Sequence, residues 1–302
     1  MFPASSHTRA VLQALFVTLL WSSSWVLIKQ GLEDIPALTF AGLRYVLATI
    51  CLLPLAARRG TFRDLRRLPR RDWAELIAFG LALYTITQGA QFLGLERLPA
   101  VTTSLLLSFS PVMVALLGIT FLGERITRAQ WSGIALYLAG VLLYFYPVQI
   151  PAREMVGVAI VLVGVLSNAA SAVMGRSINR RRTLSPLAVT VASMGIGSVV
   201  MLVAGITTQG LPALSAQSWA IIAWLAVVNT AFAFTLWNLT QRTLSAIETS
   251  IINNTMLIQI AILAWIFLGE RLSARAILGL ALAATGTLIV QLRRSTKRKP
   301  GA

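Results

Sequence analysis

Apolar residues run through this chain in long continuous stretches, not in the short alternations of strands or the one-sided stripes of soluble helices. Ten stretches stand out: Val11–Ile28, Leu38–Ala57, Trp73–Leu95, Ala100–Leu122, Gln130–Tyr146, Met155–Gly175, Leu187–Ile206, Trp219–Thr240, Ala246–Leu268 and Ala276–Gln291. Each approaches the roughly 20 apolar residues that a helix needs to cross a bilayer. They are Leu/Ala-rich, about twice the length of a spanning strand and without a period of two, which excludes a β-barrel. The pattern predicts an all-α integral membrane protein with ten transmembrane helices. The first stretch is long for a secretory h-region and has no clear small-residue cleavage site, so it counts as the first span.

The pentapeptide Phe-Leu-Gly-Glu-Arg occurs at Phe121–Arg125 and again at Phe267–Arg271, each time at a junction between two spans. The same shift of 146 positions superposes Ala100 on Ala246, Thr103 on Thr249, Ser104 on Ser250, Gly133 on Gly279, Ala135 on Ala281 and Gly140 on Gly286. The chain therefore divides into two copies of one unit, 1–147 and 148–302, the second ending in a basic tail. Five spans is an odd number, so the second copy must cross the membrane in the opposite sense. Two inverted five-helix repeats are a recurring architecture of secondary transporters, because equivalent halves can exchange conformations and open either side in turn.

Composition agrees with the span pattern: 57% of residues are apolar and 12% charged. The formal charge of +16 would suit a nucleic-acid partner, but its distribution points elsewhere. With sides alternating span by span, twenty cations fall on one side, including the arginines from Arg58 to Arg71, those from Arg176 to Arg182, and the run Arg293–Lys299. The other side holds Lys29, Arg97, Arg153, Arg271 and Arg275. The positive-inside rule then places both termini in the cytoplasm of a prokaryotic plasma (inner) membrane. Anionic lipid head groups are adequate partners for these cations, and no nucleic acid is expected.

The inventory of reactive groups is unfavourable to an enzyme. His7 is the only histidine and precedes the first span, and Cys51 is the only cysteine, so no Ser–His or Cys–His pair and no transition-metal cluster can form within the spans. A phosphate loop of the Walker type is missing from the sequence, which leaves no support for direct ATP drive. No cofactor is expected. Rings of charge of the kind that build ion filters are also lacking.

Polar residues inside the spans are the candidates for binding. Tyr84, Gln88 and Gln91 follow i, i+4, i+7 spacing in the third span, with Thr87 beside them. In the fourth and ninth spans the repeat matches Ser104 with Ser250 and Ser108 with Asn254, with Asn253 adjacent, while Pro111 frees a backbone carbonyl that could face a ligand. The first span carries Trp21, Ser22, Ser23, Ser24 and Trp25 near its middle, away from the interfacial belts that tryptophan prefers. Trp237 aligns with Gln91 and would extend an aromatic wall; Asn168 and Ser171 in the sixth span complete the set. Packing and interhelical hydrogen bonding would explain each of these without a substrate. Arg44 is the one cation placed well inside a span, and it would either bind a substrate carboxylate or pair with carbonyls of the fold. Glu124–Arg125 and Glu270–Arg271 read as helix caps or tethers. Glu75 and Glu248 lie near cytoplasmic span ends, so no mid-membrane carboxylate is available to relay protons.

Ten spans in two halves, Gly-Glu-Arg after the fourth and ninth spans, the segment Ala41–Tyr45 and Pro111 together resemble the EamA-type branch of the drug/metabolite transporter superfamily. The Trp/Ser-rich first span is most similar to those of bacterial exporters of amino acids, including aromatic ones. The resemblance implies a secondary transporter that exports small amphipathic metabolites by alternating access around a central cavity, with amino acids as the leading substrate class. A multidrug or lipophilic-cation exporter is the alternative, and a non-transporting membrane scaffold the alternative of another class. Leu257 stands where the repeat would match Pro111, which predicts a straighter ninth helix.

Overall fold

A computed structural model describes residues 6–122, 127–146, 151–181, 184–240, 243–244 and 252–292. Among these residues there is no strand, and each of the ten apolar stretches is helical. The apolar helices, numbered one to ten below, are Ser6–Gly31, Ala37–Arg58, Arg70–Arg97, the pair Ala100–Leu107 and Ser110–Leu122, Arg128–Phe145, Ala152–Arg180, Pro186–Gln209, 216–240, Ile252–Leu268 and Ala274–Leu292. Five are long and apolar enough to cross a membrane unaided, within His7–Gly31, Ala37–Arg58, Arg70–Arg97, Glu154–Gly175 and Pro186–Gln209, and four further apolar helices are shorter. Large apolar side chains such as Leu12, Phe16, Leu142, Trp265 and Phe267 point outward, as lipid requires and water would not allow. The protein is an all-helical integral membrane protein.

Local chemistry sets the helix ends. Thr127 and Gln130 form a reciprocal capping box at the start of the fifth helix, and the Ser185 and Ser215 hydroxyls accept from Ala188 N and Ser218 N. Pro99 holds Leu98 extended, which ends the third helix and begins the fourth.

The chain forms two compact units, and these are not the two sequence repeats, since each draws helices from both. The first comprises Met1–Val26, Pro99–Val156 and Phe234–Ala302. Its spine is the fifth helix packed on the tenth. A Cβ on Gly133 would stand 2.8 Å from the Gly286 carbonyl oxygen, and one on Gly140 would stand 2.5 Å from that of Gly279. The contacts are reciprocal: Gly279 meets Gly140 O at 2.7 Å and Gly286 meets Gly133 O at 2.6 Å. Gly133 and Gly279 are repeat equivalents, as are Gly140 and Gly286, so one surface meets its own equivalent in an isologous contact. Because the earlier glycine of one helix faces the later glycine of the other, the two helices run antiparallel.

The second unit comprises Leu27–Leu98 and Gly157–Ala233. Here the second helix packs on the seventh, with Gly42 against Leu202 and Gly205 against Thr39, again antiparallel. At one end of this unit Leu65, from a short helix Thr61–Arg66, is buried with Leu76, Phe79, Ile178 and Val189. Arg181 there makes ion pairs with Glu75 at 2.8 Å and Asp72 at 3.6 Å. The arginine-rich segments around 58–71 and 176–181 thus share one end of the unit.

Two kinds of interruption repeat at the 146-residue interval. The third helix widens into a π-helical segment at Leu81–Thr87, and the eighth does so at Val227–Phe232. The fourth helix breaks at Ser108–Phe109, where Phe109 N turns to Leu106 O at 3.1 Å, and the ninth breaks at Thr255, whose N turns to Ile252 O at 3.1 Å. The ninth helix is thus interrupted at the position equivalent to the break in the fourth, although Leu257 stands in place of the proline. Thr255 Oγ1 also donates to Ile252 O at 2.6 Å, so a hydroxyl competing for the helix carbonyl accompanies the break that the fourth helix makes before its proline.

Candidate functional site

In the first unit Trp21 and Trp237 meet with ring centroids 5.1 Å apart and planes tilted by 52°. Trp237 is 9% exposed and Trp25 7% exposed, so three indoles are drawn largely out of lipid. Offset aromatic pairs of this kind contribute about 0.5–1.5 kcal/mol beyond area burial. At the next residue, Ser22 Oγ donates to Gln259 Oε1 at 2.9 Å, and Gln259 Nε2 donates to Thr18 Oγ1 and Thr255 Oγ1, each at 3.1 Å. This knot ties the first helix to the ninth at its break. Gln259 escaped sequence reasoning, although a lone amide in the run Met256–Leu268 was a readable signal.

The serines of the fourth helix serve their own backbone: Ser104 Oγ donates to Val101 O at 2.9 Å and Ser108 Oγ to Leu105 O at 2.6 Å. The Leu107 carbonyl, which Pro111 cannot serve, accepts from Ser110 Oγ at 2.8 Å, so the fold itself supplies a donor in place of the missing N–H. Leu105 O, passed over by Phe109 N at the break, also accepts the Tyr137 hydroxyl at 2.8 Å. Asn254 Nδ2 donates to Ala284 O at 2.6 Å, tying the ninth helix to the tenth, while Asn253 is exposed. Ser250 lies outside the described residues, as do Glu124, Arg125 and Glu248.

Glu270 gives the Gly-Glu-Arg motif a structural meaning. Gly269 takes φ 67°, the left-handed conformation that ends the ninth helix. The next residue places its carboxylate on the N-terminus of the fourth helix, where Oε1 accepts from Ala100 N at 2.6 Å and Oε2 from Val101 N at 3.2 Å. A carboxylate at a helix N-terminus satisfies orphan donors and complements the dipole.

The second unit holds the other candidates. Arg44 lies about 10 Å inside its helix at 1.5 Å per residue, and is only 5% exposed. Its guanidinium sits 5.0 Å from the Tyr45 ring centroid, and Nη2 makes one long bond, 3.4 Å, to Thr230 Oγ1 in the π segment of the eighth helix. Nε is buried with no hydrogen-bond partner among the described residues. The Tyr45 hydroxyl donates to Gln88 Oε1 at 2.6 Å, and the Tyr84 ring lies 5.7 Å from that of Tyr45, edge to face. Thus two of the three stripe residues of the third helix converge on one tyrosine that the sequence did not single out. Thr87 instead donates to Ala82 O of its own helix at 2.8 Å. Gln91 and Asn168 are half-buried, and Asn168 O accepts from Ser171 Oγ at 2.8 Å.

Among protein families, the model described as the EamA-like transporter family matches residues 8–146 and again residues 155–292. A probable terminal-alkyne amino-acid exporter of Streptantibioticus cattleyicolor is 26% identical over 97% of this chain and 96% of its own length. An uncharacterized transporter of Bacillus subtilis is 27% identical over 75% of this chain and 70% of its own. A probable amino-acid metabolite efflux pump of Escherichia coli is 31% identical, over 43% of this chain and 40% of its own. A crystal structure with 18% sequence identity superposes with a TM-score of 0.67 over 95% of this chain and 99% of that one, a likeness of fold.

Proposed function

We propose that this chain, which belongs to the EamA-like transporter family and is therefore a transporter and not an enzyme, exports amino acids and similar small amphipathic metabolites, aromatic ones included, from a prokaryotic cytoplasm. The observation that carries the substrate class is the Trp21–Trp237 pair, 5.1 Å apart and tilted by 52°, an aromatic contact of the kind that packs against a ring or long aliphatic side chain. The repeated interruptions of helices three and eight, and of four and nine, support an alternating-access mechanism, because broken helices at corresponding positions in inverted halves are where such carriers bind and move. Export runs down the substrate gradient with weak or no proton coupling. The described acids, such as Glu75, Glu96, Glu154 and Glu270, stand at helix ends, and Glu75 and Glu270 are already engaged.

The test is flux of labelled phenylalanine, alanine and tetraphenylphosphonium from proteoliposomes, with and without an imposed pH gradient. Phenylalanine should move, little affected by the gradient, and Trp21→Ala should slow it several-fold while alanine suffers less. Movement of the lipophilic cation with neither amino acid would establish the multidrug alternative instead.

A further inference from the structure

We infer that Arg44 receives the carboxylate of the transported species, an inference that rests on the amino-acid reading above and narrows it to substrates bearing an anionic group. A cation buried among apolar helices needs a counter-charge or a set of acceptors. Lys29, the other cation drawn in among these helices, meets that need within the fold: its Nζ donates to the Leu95 carbonyl and to that of Leu98 at 2.8 Å, at the C-terminal end of the third helix. Arg44 has no such arrangement. A guanidinium carries five N–H donors in a planar fork, and here one of them makes a single contact, at 3.4 Å, to a hydroxyl. No carboxylate among the described residues pairs with it, and the Nε–H is buried and unpartnered.

Its surroundings hold the fork in place without neutralising it. Thr230 Oγ1 donates its own proton to Leu225 O at 2.9 Å, which leaves its lone pairs toward Arg44. The Tyr45 ring lies against the guanidinium and is itself fixed by Gln88. A planar cation oriented by a ring and one acceptor, with donors to spare in low dielectric, is matched to a carboxylate, whose two oxygens accept from the fork side by side. The seventh helix, which packs against the second, has no charged residue in Pro186–Gln209 and so offers Arg44 no counter-charge. A cation kept uncompensated at a cost in stability has the signature of a binding group.

The test uses purified full-length protein and the variants Arg44→Gln and Arg44→Lys. Binding of 3-phenylpropionate and of 3-phenylpropionamide is read by ligand-induced thermal shift, and transport of phenylalanine and phenylalaninamide by proteoliposome flux. The expected result has three parts: Arg44→Gln melts no lower than wild type, loses tenfold or more in affinity for the carboxylate, and leaves the amide unchanged. Arg44→Lys should recover part of the carboxylate affinity, since it keeps the charge and loses the fork. A lower melting temperature with equal loss of acid and amide would assign Arg44 to the scaffold and overturn the inference. So would wild-type phenylalanine flux in Arg44→Gln, which would leave amino-acid export standing. If the wild-type protein moves no amino acid yet binds phenylpropionate through Arg44, export of amino acids fails and the carboxylate site stands.

Discussion

Glu270 shows what a single residue contributes when its role is geometric. The carboxylate reaches two backbone amides at the start of the fourth helix, at 2.6 and 3.2 Å; a hydrogen bond to a charged group is worth about 1.5–3 kcal/mol, and a negative charge at a helix N-terminus about 0.3–1 kcal/mol. Glu270→Ala should lower the melting temperature of the detergent-solubilised protein clearly, and Glu270→Gln by less, because an amide oxygen can still accept one bond. Equal melting of all three proteins would remove the cap from the account of stability. At this scale the sequence was partly readable. A repeated Gly-Glu-Arg announced a cap, but which helix it caps depends on chain segments 170 residues apart, and no local pattern encodes that partner. Arg44 was conspicuous as an intramembrane charge, whereas its neighbour Thr230 was hidden among ordinary span residues.

At the level of helices, small residues decide which pairs approach. A methyl group on Gly140 would meet Gly279 O and the Ala283 N at 2.5 Å, both backbone atoms that cannot swing aside, so the fifth and tenth helices would have to separate. Gly195 offers the contrast: its nearest contact would be Thr49 Cγ2 at 3.4 Å, ordinary van der Waals distance. Overpacking costs about 1–3 kcal/mol and outweighs the roughly 0.5–1 kcal/mol that alanine gains over glycine within a helix. Gly140→Ala should therefore destabilise, while Gly195→Ala should be neutral or stabilising, as read by thermal unfolding in one detergent; the same sign for both would refute the close-approach argument. The glycines were legible because the 146-residue shift superposes them. The π segments were not, since any residue can shift its N–H from the fourth to the fifth preceding carbonyl, and Leu81–Thr87 and Val227–Phe232 share no distinctive composition. The break at Thr255 was missed for a related reason: proline advertises a lost N–H, while a threonine that bonds back to its own helix looks like any other span residue.

For the molecule as a whole, the decisive issue is whether the two repeats cross the membrane in opposite senses. Hydropathy and the odd number of spans in each repeat require it, and the antiparallel contact of Gly133 with Gly286 and of Gly140 with Gly279 supplies an independent geometric reason. Arg128 begins the fifth helix and Ala274, its repeat equivalent, begins the tenth; both are exposed, so cysteines there can be labelled without disturbing a cap. In a Cys51→Ser background, Arg128→Cys and Ala274→Cys should react with a membrane-impermeant maleimide from opposite faces. The charge distribution proposes a direction: with the arginine-rich side cytoplasmic, as the positive-inside rule expects, Ala274→Cys should label in intact cells and Arg128→Cys only in inverted vesicles. The reverse pattern would keep the inversion and discard the charge assignment. Labelling of both positions from one face would contradict the duplication as a folding plan, and with it the case for two interchangeable halves opening to either side in turn.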